Sequence, residues 1–139
     1  GHVCLSSPAG IVAGDMVAGI GTILIPPGTG DMDVYIEQLE RLRELKPHLL
    51  FPSHGPVIPL PEKTLSYYIK HRKQRHQKVL EAVELGHKTI SAIATEAYSD
   101  SPDAHPGLAR DQTLAHLISH ERMGLVEHQS NEWILKGDE

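Results

Sequence analysis

Two short apolar runs, Gly10-Ile11-Val12-Ala13 and Leu49-Leu50-Phe51, flank a stretch whose apolar residues recur every three or four positions, and no other feature restricts the fold as strongly. Tyr35, Ile36, Leu39, Leu42 and Leu45 form one face of a helix, with Glu37, Glu40, Arg41 and Arg43 between them. Asp31 stands where an N-cap is expected. Asp33 falls in the first turn, where the helix dipole favours negative charge, and Pro47 ends the helix. The flanking runs are too short for helices and read as strands. Val3–Ser6 is a further strand, joined to the second through Ser7-Pro8-Ala9-Gly10. A long helix over residues 62–85, with Leu65, Tyr68, Ile69, Val79, Leu80 and Val83 as its stripe, completes the order of an α/β fold. Residues 16–27 are broken by Gly19, Gly21, Pro26 and Pro27, which predicts a loop with a strand-like piece at Thr22–Ile25.

The last third reads differently. Thr89 can cap a helix that turns Ile90, Ile93, Ala94 and Ala97 inward. A second helix over residues 108–123 places Leu114, Leu117 and Ile118 inward and Gln112, Thr113, His116, Ser119 and His120 outward. Residues 125–127 and 133–135 then flank a turn. Helix, loop, helix and hairpin is the order of a winged helix. Charge changes at the same place. Residues 1–86 hold nine Lys/Arg and nine Asp/Glu; residues 87–139 hold four against nine, so the whole net charge of −5 sits in the tail. We therefore expect two units, 1–86 and 87–139, with a helix stop at Gly86.

Forty per cent hydrophobic residues support a globular chain, and 4% aromatics require a core of aliphatic side chains. The acidic balance argues against a protein that coats nucleic acid. A lone Cys4 gives no intrachain disulfide framework and suits a cytoplasmic setting. No apolar run approaches the ~20 residues of a membrane span. Gly1-His2-Val3-Cys4 has neither the charged head nor the apolar core of a signal peptide.

Asp15 follows the apolar run Ile11–Ala13, and His54 follows Leu49-Leu50-Phe51-Pro52-Ser53. Ligands gather at strand ends in open α/β sheets. A carboxylate and an imidazole there suit Zn, Mn or Fe. The alternative is that Asp15 caps a turn and His54 is a hydrogen-bonded core histidine. The five cations of Lys70–Lys78 form either an anion-binding strip or a solvated helix face. The remaining histidines, His76, His116, His120 and His128 among them, read as surface residues.

Gly14-Asp15-Met16-Val17-Ala18-Gly19-Ile20-Gly21-Thr22 resembles the metallo-β-lactamase superfamily segment in which the Asp of a Gly-Asp pair bridges two metals. Phe51-Pro52-Ser53-His54-Gly55-Pro56-Val57-Ile58 resembles the segment with the last metal-binding histidine, with Ser53 in place of the usual glycine. Tyr68–Arg75 is similar to the following helix in the glyoxalase-II-like subgroup that contains β-lactamase-like protein 2, whose members carry a winged-helix tail.

The resemblance implies the C-terminal half of an αββα sandwich followed by a small winged helix. It implies a centre of two zinc ions, or Mn or Fe, with Asp15 as catalytic bridging carboxylate and His54 as ligand. The substrate would be a thioester, lactone or phosphodiester, including RNA. It implies substrate contacts from Gly19, Gly21, Thr22, His71 and Arg72. The superfamily's His-x-His-x-Asp-His stretch is absent, and Gly1-His2 matches only the end of the third histidine motif, with His2 itself not a ligand. The chain is thus expected to be inactive alone, and its partners to include the N-terminal half of the domain and a second copy, with no membrane. A nucleic-acid-binding module, or a subunit completing a site with another chain, are the competing readings.

Overall fold

A computed structural model describes residues 2–21 and 23–137. The elements, in chain order, are β1 (Leu5–Ser7), β2 (Gly10–Gly14), α1 (Met32–Glu44), β3 (Leu50–Pro52), α2 (Pro61–Glu84), α3 (Ile90–Ala97), α4 (Pro106–Arg122), β4 (Val126–Gln129) and β5 (Glu132–Leu135). Every expected helix and strand is present within a few residues, except the strand-like piece. Residues 23–25 have no regular structure, and Thr22 lies outside the described residues. The chain divides into two compact units, Gly1–Ile23 with Val34–Arg72, and Leu24–Asp33 with Lys73–Glu139. This division falls inside α2; the charge change at Gly86 marks a helix end.

In the first unit, β1 and β2 form an antiparallel hairpin, and β2 pairs in parallel with β3, Ile11 opposite Leu50 and Val12 opposite Phe51. Parallel pairing needs a crossover, and α1 supplies it. At the start of α1, in the part assigned to the second unit, Asp31 accepts from the Asp33 amide at 3.1 Å, as its place before the helix predicts. Ile11, Ala13, Leu39, Leu50, Leu65, Tyr68 and Ile69 are buried.

In the second unit, Val79, Ala82, Val83, Ile93, Ala97, Leu117, Val126 and Trp133 form one apolar core. The Thr89 hydroxyl caps α3 by accepting from the Ala92 amide at 3.2 Å. Ser130 and Asn131 both have positive φ, as a two-residue hairpin turn requires.

One expectation is overturned here. Gln112, Thr113, His116, Ser119 and His120 of α4 are buried, not outward. Residues 24–33 supply partners for that side of the helix. Gln112 brackets Ile25, accepting from its amide at 3.2 Å and donating to its carbonyl at 2.8 Å. The Ser119 hydroxyl donates to Asp33. No described helix is long and apolar enough to cross a membrane.

Candidate metal centre

Parallel strands end at the same edge, so whatever follows β2 and β3 emerges side by side. Gly14 lies opposite Pro52, and the Ser53 amide donates to the Gly14 carbonyl at 3.0 Å. The next residues are Asp15 and His54. His54 Nε2 lies 3.4 Å from Asp15 Oδ1, and the two side chains are 78% and 64% exposed. The structure thus brings together the two residues singled out in the sequence, and leaves both accessible.

A carboxylate oxygen and an imidazole nitrogen at this separation fit a shared borderline cation. They make two donors. Among the described residues no group of three or more His, Cys, Asp or Glu could hold a metal ion, so further ligands would have to come from elsewhere. His2 is otherwise engaged: its Nε2 lies 2.8 Å from the Ala13 carbonyl, where a ring N–H donates.

The loop after Asp15 is tied to His54. The Gly19 amide donates to the His54 carbonyl at 3.0 Å. A Cβ on Gly19 would stand 2.5 Å from the Pro56 backbone nitrogen, and one on Gly55, whose φ is +84°, would stand 3.0 Å from Gly19 Cα. These two glycines are back to back because any side chain would part the loops. Gly21 has φ +82° and open space around it. Thr22, the remaining expected contact in this loop, is not among the described residues.

The expected substrate contacts on α2 differ from each other. His71 is half-buried and stacks on Tyr67, with the ring planes 16° apart. Arg72 is only 3% exposed. Its guanidinium donates to the Ile23 carbonyl and lies 5.6 Å from the centre of the Tyr35 ring. Within the same basic run, Arg75 is also buried. It donates to the Ala97 carbonyl, to Asp100 at 2.9 Å and to Ser101 at 3.2 Å, and covers the Tyr98 ring at 4.0 Å. Two of the five cations therefore belong to the interior.

A histidine cluster in the second unit is not apparent from the sequence. His76 Nδ1 faces His116 Nδ1 at 2.9 Å, and the His76 ring stacks on His120 at 3.7 Å. His120 Nε2 lies 2.8 Å from the His76 carbonyl, to which its N–H donates. Burial, reinforced by His120, lowers the His76 pKa to about 4, and burial lowers that of His120 as well; Asp33 works against both shifts. The only available signal is the i, i+4 spacing of His116 and His120, which does not say whether that face is covered.

The chain belongs to the metallo-β-lactamase superfamily. A Drosophila melanogaster protein named beta-lactamase-like protein 2 homolog is 32% identical over 127 residues, covering 88% of this chain and 42% of its own length. An Aspergillus fumigatus protein named atrochrysone carboxyl ACP thioesterase is 29% identical over 85 residues, covering 60% of this chain and 26% of its own. Crystal structures of a metallo-beta-lactamase family protein from Thermus thermophilus (TM-score 0.71, 18% identity, covering 90% of this chain and 41% of that one) and of a beta-lactamase domain protein from Burkholderia ambifaria (TM-score 0.68, 20% identity, covering 90% and 40%) share the fold. No protein-family model matches. The chain spans about two-fifths of the Drosophila relative's length.

Proposed function

We propose that this chain supplies Asp15 and His54 to the metal centre of a hydrolase, with two zinc ions in the whole enzyme and manganese or iron as the other metals suited to the same donors. The observation that supports it most directly is the 3.4 Å approach of His54 Nε2 to Asp15 Oδ1 at neighbouring strand ends. Bound metal would supply an activated water and polarise the bond under attack. The chain's own residues do the rest. Asp15 offers two oxygens, of which Oδ1 faces His54. His54 would ligate through Nε2, the ring nitrogen that faces Asp15. The Gly19 amide on the His54 carbonyl fixes the backbone of the histidine relative to the loop.

The substrate class we favour is a carbonyl ester, a thioester before a lactone. One relative is named a thioesterase. Phosphodiester chemistry on RNA is less favoured, because Arg72 and Arg75 are buried and Lys78 is paired with Asp100 at 2.6 Å. In the second unit, α3, α4 and the β4–β5 hairpin follow the order of a winged helix. We read this unit as a packing or dimer module and not as a reader of DNA, because residues 87–139 are net acidic and phosphate contacts dominate DNA affinity. A cytoplasmic enzyme is the reading we adopt, on the single cysteine, Cys4.

The test is metal content and turnover of the full-length protein on an acyl thioester, a lactone and an oligoribonucleotide, with Asp15→Asn and His54→Gln beside it. Both variants should lose metal and at least ~100-fold in kcat/KM on the thioester. Unchanged metal content would overturn the proposal. Turnover of RNA alone would overturn the substrate class.

A further inference from the structure

We infer that Tyr68 and Arg72 are positioning residues for this metal centre, clamping from α2 the backbone that follows Asp15 at Ala18, Gly21 and Ile23. The inference rests on the ligand role proposed for Asp15 and His54 and adds the groups that set their geometry.

Among the described residues of the loop, the Met16 amide donates to Ala13 at 3.1 Å, and the Gly19 amide to His54. Side chains from the helices hold its carbonyls. The Tyr35 hydroxyl donates to the Met16 carbonyl at 2.9 Å. The Tyr68 hydroxyl accepts from the Ala18 amide at 3.4 Å and presents its proton to the carbonyls of Ala18, at 3.1 Å, and Gly21. Arg72 donates to the Ile23 carbonyl.

Tyr68 and Arg72 are four residues apart, so both leave α2 on the same side. They are 2% and 3% exposed, and Tyr35 is 7% exposed. An apolar residue would fill this space without the desolvation cost of a buried cation. A cation and a phenol that both end on loop carbonyls fix where that loop runs. One side of the loop is continuous with Asp15, and its middle is bonded to the His54 backbone. Groups that orient metal ligands in this way commonly change metal affinity by about 10- to 100-fold when removed.

The experiment uses Tyr68→Phe, Arg72→Gln and the conservative Arg72→Lys in the full-length protein, beside wild type and Asp15→Asn. Zinc affinity per folded molecule is read by competition with a chromophoric chelator. Thermal melting is followed in parallel, and kcat and KM are measured at saturating zinc. Tyr68→Phe keeps the ring and removes only the hydroxyl. We expect it and Arg72→Gln to weaken zinc binding about tenfold or more, and Arg72→Lys to recover part of the loss. Saturating zinc should restore KM more fully than kcat. If Tyr68→Phe and Arg72→Gln lower only the melting temperature, with zinc affinity within twofold of wild type, the clamp is refuted while loss of zinc in Asp15→Asn leaves the ligand reading standing. If Asp15→Asn also keeps its zinc, the ligand reading itself fails.

Discussion

His76 Nδ1 and His116 Nδ1 face each other at 2.9 Å, so one ring carries a proton there and the other accepts it. A second proton on that line would meet the first. The His76 ring also lies flat against His120, whose Nε2–H is committed to the His76 carbonyl. Burial disfavours charge on His76 and His120, and Asp33 is the carboxylate that opposes it.

Acid should destabilise the second unit through this cluster. Burial holds His76 at about 4, against an ordinary histidine near 6.5. Between those values the unfolded chain binds the proton and the folded chain does not. Stability is full above 6.5 and falls as pH drops toward about 4. After allowance for partial exposure, the loss is about 2 kcal/mol. Urea titrations at pH 7, 5.5 and 4.5 should show this decline in the wild type and a shallower one in His76→Gln. Parallel slopes in the two proteins would contradict the assignment.

The contact of Gly19 with Pro56 predicts an uneven response among glycines. Gly19→Ala must move the Pro56 backbone and should cost about 2–4 kcal/mol, with weakened zinc binding. Gly21→Ala meets only the strain of its positive φ, about 1 kcal/mol. Chemical denaturation of the two variants separates them. Equal losses would show that the close approach is unimportant.

Arg75 and Lys78 meet the same carboxylate and should not matter equally. Arg75 is buried with three hydrogen-bond acceptors and the Tyr98 ring beneath it. Arg75→Ala should cost about 3 kcal/mol, because it empties a buried site and strands those acceptors. Lys78 is partly exposed, and Lys78→Ala should cost under about 1 kcal/mol. Hydrogen bonds from Lys78 and Arg75 hold the Asp100 carboxyl well below the usual carboxylate range, so its contribution is present at neutral pH and is lost as pH falls into strong acid. Denaturation midpoints of the two variants at pH 7 provide the check.

Leu5 and Val12 are cross-strand partners, so their side chains lie on the same face, and they are 62% and 44% exposed; Val3 nearby is 76% exposed. Residues 1–139 expressed alone should self-associate through this strip. They should also bind zinc only weakly and hydrolyse nothing, since two donors do not make a closed site. Sedimentation and zinc competition test both points. Leu5→Lys with Val12→Thr should raise the monomer fraction; no change in that fraction would refute the strip as the cause.

The residues alone determined the elements. Periodic Ile36, Leu39 and Leu42 dictate α1, the Asp31 and Thr89 caps mark helix starts, and Asp15 and His54 stand out because a carboxylate and an imidazole closely follow apolar strands. Tertiary structure decided which polar faces are covered. Helical spacing identifies the apolar side of α4, but burial of Gln112, His116, Ser119 and His120 depends on residues 24–33 and α2 supplying partners from distant positions in the chain. Likewise Arg72 and Arg75 read as charges for solvent until Ile23, Tyr35, Ala97 and Asp100 gather around them. Local chemistry sets backbone conformation; the fate of a polar side chain depends on neighbours that only folding brings within hydrogen-bond reach.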